Sequence, residues 1–124
     1  MRRPMKTELV SENGTPVVRL EIGDHRAHLG ASDVDSLIEN LGAARAAMQP
    51  AVPGRISRQH QYCVEIDPCW YAEPHPSLGR VVVFLRDTGL GWTGFSIDRD
   101  SARKLCDELS SYTDQPVAPA GMPN

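Results

Sequence analysis

His60, Cys63, Cys69 and His75 stand within sixteen residues, and imidazole and thiolate are the side chains zinc favours. Only His60 and Cys63 have the close spacing usual for a zinc pair. If residues 61–67 form a strand, these two point to opposite faces and need a bulge to share an ion. A Cys63–Cys69 disulfide and a set of unconnected side chains are the competing readings. His25 and His28, also an odd number apart in a hairpin, meet the same objection. Thiol chemistry is a second possibility: Cys69 has Glu65, Asp67, Glu73 and His75 near it in sequence, and a cysteine beside a histidine can become a nucleophile. No orienting partner or oxyanion loop is recognisable. Cys106 falls in the apolar stripe of a helix, where packing is the ordinary role.

Gly89-Leu-Gly91-Trp-Thr-Gly94 matches G-x-G-x-x-G after a strand. A dinucleotide site needs a helix to open at the last glycine, whereas the residues after it read as a strand. A glycine-bearing hairpin loop is therefore expected. All seven aromatics, Tyr62, Trp70, Tyr71, Phe84, Trp92, Phe95 and Tyr112, fall in the second half. Trp70, Tyr71, Phe84 and Trp92 are the candidates for a partner face, since aromatics serve surfaces that are half core and half contact. Arg99 and Arg103, one helical turn apart, add a small basic patch.

These residues need a scaffold, and 124 residues can supply a folded domain without metals or disulfides. With 13 basic and 16 acidic residues the net charge is −3, so no global positive field collects nucleic acid or an anionic membrane. No apolar run reaches the roughly 18 residues of a membrane span, and MRRPMKTE leads into no apolar segment. Three cysteines, few and odd in number, agree with a reducing compartment; a cytoplasmic protein is the expectation.

Along the chain, residues 6–12 read as an edge strand, and Asn13-Gly14 is a type I′ turn signal. In residues 17–22, Val18, Leu20 and Ile22 alternate with Arg19 and Glu21. Gly23-Asp24 then makes a type II′ turn that sets Ile22 opposite His25 and Val18 opposite Leu29. Ser32 and Asp35 look like a helix cap, followed by an apolar stripe from Val34 to Met48. The second half repeats this plan. A strand is expected at 61–67, with a stiff loop at 73–77 and a central strand at 81–85 that is apolar on both faces. A returning strand at 92–97 leads to a helix capped by Asp98 or Asp100.

An offset of 68 carries Leu29 to Ile97, Val34 to Ala102, Leu37 to Leu105 and Leu41 to Leu109. An offset of 64 carries Val18 to Val82 and Leu20 to Phe84, so the second hairpin loop is about four residues longer. The expected fold is α+β: two tandem strand–hairpin–helix (βββα) repeats forming a mainly antiparallel sheet with two helices on one face. Residues 1–113 make one domain, with repeats at 6–49 and 60–112 and a linker at 50–59. The proline-rich tail 114–124 reads as disordered. Leu37, Leu41, Leu105 and Leu109 are expected to be buried against the sheet.

VVRLEIGDHRAHLGASDVDSLIENL and LRDTGLGWTGFSIDRDSARKLCDEL resemble segments of small actinobacterial and actinophage proteins of uncharacterised function. The resemblance spans most of the chain, contains no functional motif and implies no activity. The resulting expectation is a non-enzymatic protein-binding or regulatory module, compatible with a phage-like inhibitor or adaptor, that needs no cofactor and forms a homodimer through its second half. The alternative is a zinc- or thiol-dependent protein using His60, Cys63, Cys69 and His75.

Overall fold

The computed structural model describes residues 4–116, so most of the proline-rich tail lies outside the described residues. The chain divides into two compact units, 1–62 and 63–124. Each is a three-stranded antiparallel meander followed by one helix, which is the α+β plan of two βββα units. The strands form two three-stranded sheets, one per unit, in place of a single shared sheet.

In the first unit, β1 (Met5–Glu12), β2 (Thr15–Ile22) and β3 (His25–Leu29) follow in spatial order. Asn13 and Gly14 both adopt positive φ, 53° and 82°, as a type I′ turn requires. Gly23, at φ 58°, opens the second turn, and the pairing runs from Ile22 opposite His25 to Val18 opposite Leu29, the register read from the turn. Helix α1 (Ala31–Ala47) starts two residues earlier than the Ser32 cap predicts. Gly30 is the cap, and the Asp33 carboxylate accepts its amide at 3.4 Å. Val34, Leu37, Ile38 and Leu41 face Leu9, Val18 and Leu29 of the sheet.

The second unit contains β4 (Trp70–His75), a 3-10 turn at Pro76–Leu78, β5 (Arg80–Asp87), β6 (Gly91–Asp98) and helix α2 (Arg99–Thr113). The strand expected at 61–67 is not formed. Asp67 takes a left-handed turn at φ 49° just before Pro68, which breaks the extended run, and pairing begins at Trp70. The expected loop at Glu73-Pro74-His75 is instead strand; Pro74 is tolerated because β4 lies at the sheet edge. Strand β5 is central, as its two apolar faces require. The Asp98 carboxylate caps α2 by accepting the Ser101 amide at 2.7 Å. Val81, Val83 and Ile97 face Ala102, Leu105, Cys106 and Leu109 of this helix.

None of the described residues is buried. The four leucines expected in a core are at best half-covered: Leu37 is intermediate, and Leu41, Leu105 and Leu109 expose 59 %, 46 % and 56 %. The cause is geometric. One helix on three strands is a unit too small to enclose side chains fully, and its helix covers only one face of the sheet.

Candidate functional site

The uncovered faces of the two sheets are built from equivalent positions but different chemistry. In the first unit Val18 pairs with Leu29, and in the second Val81 pairs with Ile97, each beneath its helix. Counting outward from these pairs, Glu8, Arg19 and His28 correspond to Glu73, Val82 and Ser96. Lys6, Glu21 and Arg26 likewise correspond to Tyr71, Phe84 and Gly94. All twelve lie on the sheet face away from the helix, because side chains alternate along a strand.

On the first sheet these positions form a ladder of ion pairs. Glu8 binds Lys6 Nζ at 2.5 Å and Arg19 Nη2 at 2.6 Å. Glu21 Oε1 sits 3.1 Å from Arg19 Nε, at an angle that makes no hydrogen bond, and 3.3 Å from Arg26 Nε. The hydrogen bond and charge of Lys6 hold the Glu8 carboxyl below its ordinary range and raise the Lys6 ammonium. Such a face pairs its charges within the sheet and is compatible with water.

On the second sheet the same positions carry Tyr71, Phe84 and Gly94, with Trp92 one step along β6. Tyr71, Phe84, Trp92 and Glu73 line an open cleft of about 400 Å³. The Tyr71 and Phe84 rings stand 6.2 Å apart at 33°, and Tyr71 and Trp92 each expose more than half their surface. Glu73 stands at the register position of Glu8, and Tyr71 and Val82 stand where the first sheet has Lys6 and Arg19. Among the described residues its carboxylate has no hydrogen-bond or ion-pair partner.

Three of the four aromatics expected at a partner face thus converge. Trp70 does not: it pairs with Leu85, which alternates onto the helix side with Val83, and it remains 70 % exposed there. Glu73 belongs to no motif in the sequence; strand pairing with Val82 places it at this face, at the register position of Glu8.

Of the cysteine–histidine set, Cys69 and His75 do not come together. Cys69 and His75 bracket β4, six residues apart in extended chain, which puts them roughly 20 Å from each other and too far for one ion. The His75 ring contacts Ser77 Oγ at 3.1 Å, and the His60 ring lies tilted at 56° against the Tyr62 ring, centroids 4.6 Å apart. Cys63, Cys69 and Cys106 are free and exposed, which departs from the packed position expected for Cys106, and no metal-holding group forms among the described residues.

The glycine-rich loop has its amides occupied. Glu65 accepts the Thr88 amide at 2.7 Å and the Thr88 hydroxyl at 2.9 Å, while Asp87 accepts the amides of Gly89 and Leu90 at 2.8 Å each. Two carboxylates therefore hold the donors a phosphate would need, and β6, not a helix, follows. Among the described residues no helix is long and apolar enough to cross a membrane. Comparison of the chain with protein-family models, with curated proteins and with solved structures finds no match.

Proposed function

We propose that this chain is a non-enzymatic protein-binding module, regulatory or adaptor in role, whose docking surface is the helix-free face of the second sheet. The observation that carries the reading is the exchange of the charged triad Lys6, Glu21 and Arg26 for Tyr71, Phe84 and Gly94 at equivalent positions of two units with one topology. A face that needed only to meet water would keep its ladder. One that sheds it for half-exposed aromatics gains energy only when covered, and aromatics are the residues that dominate protein interfaces. The reading extends to a duplication of one βββα unit whose copies diverged, the first as a solvated support and the second as a contact surface, and to a homodimer through the second half.

The test is affinity capture with the wild type, Phe84→Arg and, as a first-unit control, Arg26→Ala, each checked for native circular dichroism. Association retained by the wild type and Arg26→Ala but lost by Phe84→Arg supports the face. Equal association by all three proteins overturns it.

A further inference from the structure

We propose, resting on the docking face just described, that its occupant is a second copy of this chain. The two copies meet about a twofold axis that lies over Phe84 and runs across the strands, so that Glu73 of each faces Arg86 of the other.

Glu73 asks for a cation. Its carboxylate borders a cleft walled by Tyr71, Phe84 and Trp92, and aromatic faces beside a carboxylate favour a guanidinium or ammonium group. The same face carries a cation of its own. Arg86 pairs with Trp92 and alternates onto the side of Phe84 and Val82; its backbone amide is given to the Cys69 carbonyl at 3.0 Å, and its side chain has no acceptor among the described residues. A cleft meant only for a basic partner has no use for an unpaired arginine beside it. A face bearing both halves of an ion pair, each unpaired, is complementary to itself, which is the condition for an isologous contact.

The register supplies the axis. Glu73 lies opposite Val82, two residues before Phe84 on β5, and Arg86 lies two residues after it, so the rows of Glu73 and Arg86 are equidistant from Phe84 at about 7 Å. Rotation about an axis over Phe84 reverses the strands and lays one copy's Glu73 row on the other's Arg86 row. The remaining sideways offset is one strand spacing, about 5 Å, which a long arginine side chain spans. The Phe84 rings then meet at the centre, where anchoring aromatics concentrate. Two faces of three strands bury on the order of 1,000 Å² in total, the lower end for a specific interface, so dimers are expected at micromolar concentration.

The experiment is sedimentation equilibrium of the full chain from about 1 to 100 µM, a range matched to an interface of this size. The wild type is expected to dimerise. Glu73→Arg and Arg86→Glu, each placing like charges together, should weaken the dimer at least ~30-fold. The double variant E73R/R86E should regain it. An equimolar mixture of the two single variants should form a heterodimer, because both of its cross-pairs are then attractive; this arm holds even if the double variant folds poorly. A wild type that is monomeric throughout overturns the twofold pairing and leaves the face to a different protein. Dimers that survive both charge reversals but are lost in Phe84→Arg overturn the Glu73–Arg86 registration while keeping the face, and dimers that survive all three overturn both.

Discussion

Phe84 lies across Gly94, so close that a β-carbon at position 94 would sit 2.6 Å from Cε1 of the ring. No real side chain tolerates that distance. The missing side chain of Gly94 is what lets the ring bridge from β5 to β6 and form the floor of the aromatic cleft. Gly94→Ala should therefore displace the ring and cost about 1 kcal/mol, the lower end for overpacking because a half-exposed ring can move. Chemical denaturation reads the cost, and a shifted Tyr71 ring resonance reads the displacement. An alanine variant as stable as the wild type with unchanged aromatic shifts removes this account of the cleft.

Leu105 meets the sheet from α2 yet exposes 46 % of its surface. Truncation of a buried leucine costs roughly 2–5 kcal/mol, and a half-covered one loses transfer energy without leaving a closed cavity. Leu105→Ala should cost about 1 kcal/mol, measured by urea unfolding of monomer-concentration samples. A loss above about 3 kcal/mol means that α2 is covered on its outer side in solution.

Asp98 holds the N-terminus of α2 as a carboxylate, and acceptance of the Ser101 amide lowers its pKa from the ordinary 3.8. A lowered folded-state value means that the unfolded chain binds the proton more readily, so stability rises with pH across the interval. The cap's contribution is complete above the ordinary value and disappears as pH falls through the depressed one. Two-dimensional NMR titration should give Asp98 a midpoint below 3.8, with the Ser101 amide moving in step; a midpoint at or above 3.8 contradicts the cap.

Cys69 and His75 stand at opposite ends of β4, so stoichiometric zinc is not expected. Protein purified without chelators should contain well under one zinc per chain by elemental analysis, and Cys69→Ser should leave thermal unfolding unchanged. One zinc per chain, lost in Cys69→Ser, requires β4 to be rebuilt.

Much of the architecture was legible without coordinates because its determinants are local. Asn13-Gly14 and Gly23-Asp24 specify turn types that need positive φ, and a two-residue turn fixes every pair in the strands it joins. Asp98 marks the start of α2 by the same local logic. A local pattern that fits more than one pairing does not decide which segment becomes the strand. Residues 61–67 alternate like a strand, yet an edge strand forms only where a neighbour accepts it, and β5 accepts Trp70–His75. Which strand positions of the two units match was decided by strand pairing alone. In sequence, Val18 matches Val82; under the helices, Val18 corresponds to Val81, and the second hairpin is five residues longer, not four. That single residue reverses which side chains share a face, since the strand period is two. Sequence determined that the chain carries two βββα units with six of the seven aromatics in the second. Only the pairing across strands, a contact between residues distant along the chain, decided that Glu73 lies opposite Val82 and that Tyr71, Phe84 and Trp92 gather beside it.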